Sequence, residues 1–155
     1  AAKQQKATIK IPEYLDKKQR QELAKEVMEF IKTRSEDGIG VKKRGETFEN
    51  YKFPKYSKEY EKSLAFRVGG KSSSSIDLTL SGDMLASMEL LKERRGEITI
   101  GYEAGSDENA RAEGNQLGTY GRQTPNPRRA RSFLGISEAD LNKILRGYKD
   151  GGSDT

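Results

Sequence analysis

A change from strand periodicity to helix periodicity lies in the run Ile76-Asp77-Leu78-Thr79-Leu80-Ser81-Gly82-Asp83-Met84-Leu85. Over residues 76–80 apolar side chains alternate with polar ones, which is the pattern of a half-buried strand. Ser81 can cap a helix, because its hydroxyl can accept from a free N–H of the first turn. Apolar residues at helical spacing then predict a helix from Met84 to Leu91. Residues 97–102 alternate again, so we expect them to pair antiparallel with 76–80 at the centre of a sheet.

A long amphipathic helix is predicted over residues 13–34, after a short strand at 8–11 that Pro12 closes. Its apolar residues form one stripe, flanked by Phe30: Leu23, Ala24, Val27, Met28 and Ile31. One such stripe is typical of a helix that covers one face of a sheet. Gly38 and Gly40 are expected to end it.

The C-terminal half predicts two short helices and one more strand. Ser106 or Asp107 can cap a helix that Gly114 should break. A strand over residues 132–136 leads to Ser137, which forms a capping pair with Asp140. The last helix presents one apolar face, made by Leu141, Ile144, Leu145 and Tyr148.

These patterns predict a single α+β domain over residues 1–150, in which a small antiparallel or mixed sheet is backed by the long N-terminal helix. The domain ends in the short C-terminal helix. A long extended arm is inserted at residues 40–75, and residues 151–155 are expected to be a disordered tail. A length of 155 residues suits one compact domain, since domains cluster at roughly 100–150 residues.

The residue composition narrows the possible chemistry. The chain has no cysteine and no histidine, which excludes disulfides, thiolate metal sites and the commonest general base. We therefore expect no enzyme, no cofactor, and no catalytic or metal-binding residue. No apolar run approaches the roughly 20 residues that a transmembrane helix needs, and the N-terminus lacks a signal-peptide core. We therefore expect a protein that is made in the cytoplasm and has no membrane partner.

The arm is rich in aromatic and basic residues. Six of the twelve aromatic residues lie in it, namely Phe48, Tyr51, Phe53, Tyr56, Tyr60 and Phe66. Residues 42–71 contain nine Lys or Arg against four Glu. Such a segment could stack bases and neutralise phosphates, or it could dock into a neighbouring subunit, where aromatic residues are enriched. We favour docking, because a solvent-exposed tail rarely holds so many aromatic residues.

A second candidate contact surface is the basic cluster that precedes Phe133 and Leu134. The candidate interface residues are therefore of two kinds, the arm aromatics Tyr51, Phe53, Tyr56 and Tyr60 and the arginines Arg122, Arg128, Arg129 and Arg131. Arginine suits a protein boundary, because its planar guanidinium can pair bidentately with a carboxylate.

Four segments, taken in order, resemble small neck and tail proteins of tailed bacteriophages, the tail completion, virion morphogenesis and HK97-type tail-component families. They are Lys55-Tyr56-Ser57-Lys58-Glu59-Tyr60, Asp77-Leu78-Thr79-Leu80-Ser81-Gly82-Asp83-Met84-Leu85, the run from Asn109-Ala110-Arg111-Ala112 to Asn115-Gln116-Leu117-Gly118, and Arg131-Ser132-Phe133-Leu134-Gly135-Ile136-Ser137. The resemblance implies a small α+β fold, with a sheet backed by a long helix, that assembles into a ring at the head-to-tail junction of a virion, usually as a hexamer.

The same resemblance implies the partners. They are further copies of the chain, a portal, adaptor or stopper above the ring, and a tail tube or terminator below it. Genomic DNA would pass through the lumen without sequence-specific contact. The level in the neck (adaptor, stopper, completion or terminator) stays open, and a basic nucleic-acid-binding module that uses the Lys/Tyr-rich arm is the alternative.

Overall fold

The computed structural model describes residues 3–45, 47–53, 82–117 and 130–148. In chain order the elements are β1 (Lys6–Lys10), α1 (Lys17–Glu36), β2 (Ile39–Arg44), β3 (Thr47–Lys52), α2 (Gly82–Ala86), β4 (Glu89–Arg94), β5 (Glu97–Gly101), α3 (Asp107–Leu117) and α4 (Glu138–Leu145). The predicted α+β class is confirmed, and α1 is the long helix of the prediction.

The main sheet is antiparallel and has the strand order β1-β5-β4. Its centre is β5, whose Ile98 and Ile100 are fully buried and lie opposite Ile9 and Ala7 of β1. The predicted pairing of residues 97–102 with 76–80 is therefore wrong, because β1 and β4 occupy the two edges of β5. Residues 76–81, with their predicted strand and cap, lie outside the described residues.

Helix α1 covers this sheet with the predicted stripe. Leu23, Ala24, Val27 and Ile31 are buried, and Met28 and Phe30 pack against the core. The helix begins four residues later than predicted, because Asp16 caps it: its carboxylate accepts from the Gln19 N–H at 2.8 Å, and the Gln19 side chain accepts from the Asp16 N–H. Gly38, with a φ of 83°, follows the helix end, whereas Gly40 belongs to β2.

The helix predicted from Met84 to Leu91 is wrong beyond Ala86. Residues 89–94 form β4 instead, joined to β5 by a tight turn in which Gly96 has a φ of 86°. The apolar spacing suited a helix, but pairing with the buried strand β5 outweighs local propensity. Met84, Leu85 and Met88 are nevertheless buried, as a core-facing pattern requires.

The first part of the predicted arm is ordered on its own chain. Residues 39–52 form the two-stranded hairpin β2–β3, in which Lys43 lies opposite Phe48 and Gly40 opposite Tyr51. The hairpin packs on residues 130–137, hereafter the 130–137 segment, and the Val41 N–H donates to the Ser132 carbonyl at 2.9 Å. An added Cβ on Gly40 would overlap that carbonyl and the Phe53 ring, which shows how closely the backbones approach. Residues 54–75 of the arm lie outside the described residues.

The C-terminal part agrees with the sequence except at two points. Helix α3 is capped by Ser106, whose hydroxyl accepts from the Asn109 N–H, and it runs through Gly114 to Leu117 rather than breaking there. The 130–137 segment is buried from Phe133 to Ser137 but forms no strand.

Helix α4 begins after Ser137, which caps it through the Asp140 N–H, and it presents the predicted apolar face. No described helix is long and apolar enough to cross a membrane.

Candidate functional site

Three of the interface candidates predicted from the sequence, Tyr51, Phe53 and Arg131, are among the described residues. Phe53 is a core residue, only 6% exposed, and packs edge-to-face on Tyr51 at 5.8 Å between ring centroids. The Tyr51 hydroxyl donates to the Ala130 carbonyl at 3.2 Å and accepts from the Ser132 N–H at 2.8 Å. Phe53 is therefore not available to dock into a neighbour, and both aromatics fasten the hairpin to its own chain. Tyr56, Tyr60, Arg122, Arg128 and Arg129 lie outside the described residues.

Arg131 is also not the surface residue that its basic neighbours suggested. It is 1% exposed, and its backbone N–H donates to the Asn115 carbonyl at 2.6 Å. A side chain this deep cannot meet a partner's carboxylate at a subunit boundary, so the boundary role predicted for it is wrong.

Arg131 belongs to a contact network that we call the junction, formed by Met84 of α2, Asn115 and Gln116 of α3, and Arg131 and Phe133 of the 130–137 segment. The Asn115 amide lies 3.8 Å from the Met84 sulfur and also donates to the Arg111 carbonyl at 2.9 Å. The Gln116 side-chain oxygen accepts from the backbone N–H groups of Phe133 and Leu134, at 2.6 and 3.1 Å. The Gln116 side chain thus satisfies two backbone N–H groups of the 130–137 segment, which forms no strand.

Tyr102 connects the junction to the main sheet. Its hydroxyl donates to the Met84 carbonyl at 3.0 Å, and its ring packs edge-to-face on Phe133 at 6.2 Å. Burial raises the pKa of the Tyr102 phenol well above its usual range, with a smaller contribution from Glu108, so it stays a neutral donor.

The other side of the 130–137 segment is held by Arg34, which is 6% exposed. Its guanidinium donates to the carbonyls of Ile39, Gly135 and Phe133. Burial lowers the pKa of Arg34 to about 10, while the Asp140 carboxylate acts in the opposite direction, so the side chain is charged at neutral pH. One cation thus holds the end of α1, the hairpin and the 130–137 segment together.

An open groove of about 710 Å³ runs along β1, opposite its β5 partner. Residues 6–10 form one wall, and Phe48, Gln116, Leu134, Ile136 and Leu141 are among the residues that line the rest. Lys6, Lys10 and Lys43 also line it, against one carboxylate, Glu138. Its size is within the roughly 300–1,000 Å³ of binding clefts, and an apolar lining with a cationic rim suits an extended segment that carries apolar and acidic side chains.

Two exposed cations of the hairpin have partners within the molecule. The Lys42 ammonium lies 4.7 Å from the centre of the Tyr51 ring, and Arg44 pairs with Glu49 at 3.0 Å. Both sites are at the surface, where such contacts contribute little to stability. In the described part of the chain, no group of three acidic side chains comes close enough together to hold a metal ion.

Sequence reasoning missed the polar residues that organise this region. Arg34 did carry a signal, because it lies three residues after Ile31 and seven after Val27, on the stripe that faces the core. Gln116 carried none, since the partners of its side chain are the backbone N–H groups of Phe133 and Leu134, which no local pattern places beside it. Comparisons with protein-family models, with curated proteins and with solved structures find no match to this chain.

Proposed function

We propose that this protein is a structural, non-enzymatic subunit of a ring at the head-to-tail junction of a tailed-phage virion. The observation that carries the proposal is that the segments resembling phage neck and tail proteins lie together in the fold. The described parts of three of them, at residues 82–85, 109–117 and 131–137, meet at the junction through the contacts of Met84, Asn115 and Gln116. Segments that look short and separate in the sequence therefore build one structural unit.

In the sequence, the residues of the junction are next to the two segments that contain the remaining interface candidates. Residues 118–129, with Arg122, Arg128 and Arg129, connect α3 to Ala130, while residues 54–81, with Tyr56 and Tyr60, connect Phe53 to α2. Ala130 accepts from the Tyr51 hydroxyl, and the Phe53 ring lies beside the Ser132 carbonyl. Two such segments attached to one region suit an interface in which one face of a subunit contacts a different face of the next subunit. Heterologous interfaces of this kind can close into rings.

The test is the oligomeric state. We expect a closed ring, most often of six copies, either from the purified chain alone or when its portal or tail partner is added. Mass photometry gives the copy number, and electron cryo-microscopy of the particles gives the closure. A chain that stays monomeric in both conditions and in virions contradicts the proposal.

The alternative function, a basic nucleic-acid-binding module, rests on the hairpin, where Lys42, Lys43, Arg44 and Lys52 are exposed. Such a module would bind free duplex with an affinity that falls steeply as salt rises, because each phosphate contact releases counterions. A salt series with a duplex probe separates the two functions, since the ring requires no binding to free duplex.

A further inference from the structure

The distal half of the hairpin β2–β3 carries exposed positive charge. In β2, Gly40 and Val41 are buried, whereas the next three residues, Lys42, Lys43 and Arg44, are exposed. The buried half packs on the 130–137 segment, so these three residues, hereafter the basic tip, extend away from that contact into solvent. Residues 39–52 contain four Lys or Arg against two Glu, which makes the hairpin as a whole cationic.

One end of the main sheet carries the opposite charge. Four exposed carboxylates lie at the end where β5 finishes, hereafter the acidic end: Asp83, Glu89, Glu103 and Asp107. Glu89 is opposite Gly101 in the β4–β5 ladder, and Glu103 lies two residues after Gly101. The Tyr102 hydroxyl, which donates to the Met84 carbonyl, holds α2 at the same end. Among the described residues none of the four carboxylates forms an ion pair.

The acidic end stays negative when its cations are counted. Six Asp or Glu stand against three Lys or Arg in the segments that form it, residues 3–6, 83–89 and 103–113. Asp107 and Asp83 lie in the first turns of α3 and α2, where a carboxylate stabilises the helix dipole. Glu89 and Glu103 lie outside both helices, so the helix dipole does not account for them.

The basic tip and the acidic end lie on different sides of the molecule. Lys43 and Phe48 of the hairpin line the groove beside β1, at one edge of the main sheet, whereas Glu89 belongs to β4 at the other edge. The width of the sheet therefore separates the hairpin from Glu89 of its own chain. Contact between the two surfaces requires two copies of the chain, and it is heterologous, as a ring requires.

We propose that the basic tip of one subunit docks onto the acidic end of the next subunit. The contact rests on the proposed ring and adds to those expected from residues 54–81 and 118–129. Arg44 already pairs with a carboxylate, Glu49, but both side chains are largely exposed, so this pair can exchange for one across the interface. Complementary charge of this kind determines which surfaces meet and in which orientation.

A second copy of the chain fits these surfaces better than a nucleic acid does. A phosphate backbone would also be attracted to the basic tip, but it would leave the carboxylates of the acidic end without a counterpart. The neighbouring subunit supplies the opposite charge for both surfaces at once.

Charge reversal at each surface tests the contact in the full chain. We expect Glu89→Lys with Glu103→Lys to lower the fraction of rings at least about tenfold, because like charges then meet across the interface. Lys43→Glu with Arg44→Glu should have the same effect from the other side. Mass photometry measures the fraction under the condition in which the unaltered chain forms rings, and circular dichroism shows that each variant is folded.

Rescue separates a lost contact from any other effect of the changes. In an equimolar mixture of the two variants, the reversed acidic end of one chain meets the reversed tip of the other, and each alternate contact is the native one. Alternating rings of even copy number should therefore form. A single chain with all the changes should form rings as well. Failure of both forms of rescue overturns the proposal.

The matched control for the hairpin variant is Lys17→Glu with Lys18→Glu on the exposed face of α1, which changes the net charge by the same amount. It should assemble like the unaltered chain. Rings of every variant overturn this contact and leave the ring itself in place, whereas an unaltered chain that never forms rings contradicts both. A hairpin variant that assembles normally but no longer binds duplex shows that the tip binds phosphate, which also overturns the proposal.

Salt gives a readout in the unaltered protein that needs no variant. The fraction of rings should fall at least about tenfold between about 0.1 and about 1 M salt, because the screening length falls from about 10 to about 3 Å over this range. A fraction that stays constant over this range overturns the proposal.

Discussion

Arg34 links three parts of the fold because of the shape of its side chain. A guanidinium presents five N–H donors in a fixed fork, so one group can satisfy carbonyls from β2 and from two positions of the 130–137 segment. A lysine ammonium at the same site is a single point with three donors on a flexible stem. The position therefore requires arginine for its geometry as well as for its charge.

The first prediction concerns this residue. Arg34→Lys should lower the free energy of unfolding by about 1–3 kcal/mol, because at least one buried carbonyl loses its donor. Arg95→Lys is the control, since the Arg95 side chain is largely exposed, and it should change stability by less than about 0.5 kcal/mol. Urea unfolding followed by circular dichroism measures both variants. Equal stability of the two would show that the fork geometry of Arg34 contributes nothing.

The residue scale also shows what the sequence could reveal of the site. The apolar positions of α1 and α4 were predictable, because a stripe at helical spacing must face the core. The roles of Phe53 and Arg131 were not, because an aromatic or an arginine in a loop-like stretch fits an interface and an interior equally well. Their burial depends on the 130–137 segment returning beside the hairpin, which is a tertiary contact without a local signal.

At the scale of elements, β4 and the hairpin β2–β3 show the same limit. Residues 84–91 have the apolar spacing of a helix, yet the chain leaves the helix at Ala86 because a tight turn at Gly96 brings β4 beside β5. In the hairpin strands, apolar and polar residues alternate only weakly, because most of the side chains are exposed. The sequence of this region therefore indicated an extended arm. Elements held by pairing with distant strands are the ones that periodicity misassigns.

The element-scale prediction separates core from interface in the arm. Phe53→Ala should destabilise the monomer by about 3–5 kcal/mol, as loss of a buried phenylalanine does, whereas Lys52→Ala on the exposed side should have little effect. Thermal unfolding at a concentration where the chain is monomeric is the measurement. If Phe53→Ala leaves the monomer unchanged but blocks assembly, Phe53 is an interface residue after all.

The same reasoning changes the expected result of removing the arm. An arm that docks only onto a neighbouring subunit predicts that replacing residues 45–74 by a short glycine linker leaves a folded monomer. The structure predicts that this deletion unfolds the protein, because it removes β3 and Phe53.

At the scale of the whole molecule, a chain with 32% hydrophobic residues still builds a continuous core, and it does so by burying polar groups that have partners. Arg34, Asn109, Asn115 and Arg131 are all buried, and the side chains of Arg34 and Asn109 bind backbone groups of other segments. Satisfied polar groups of this kind fix one arrangement of the segments that they join. We therefore expect the assembly contacts to be made by the segments attached to the junction, residues 54–81 and 118–129. The junction would hold the ends of these segments in fixed positions.

The last prediction tests whether those contacts are made with protein or with nucleic acid. Exchanging Arg122, Arg128 and Arg129 for Glu should abolish ring formation or docking onto the neck partner, because like charges would then face the partner's carboxylates. Exchange for Lys should weaken assembly only in part, since a lysine keeps the charge and loses the bidentate fork. Arg131 is left unchanged, because it is buried.

The matched control is the exchange of Lys17, Lys18 and Lys25 for Glu on the exposed face of α1, which changes the net charge by the same amount. It should assemble normally, as measured by mass photometry. A nucleic-acid role gives a different pattern: Lys would replace Arg well, and the salt dependence of duplex binding would become shallower by roughly one unit of slope for each phosphate contact removed. If the Glu variant assembles like the control but loses duplex binding with that change of slope, the arginines bind phosphate, and the alternative function replaces the ring.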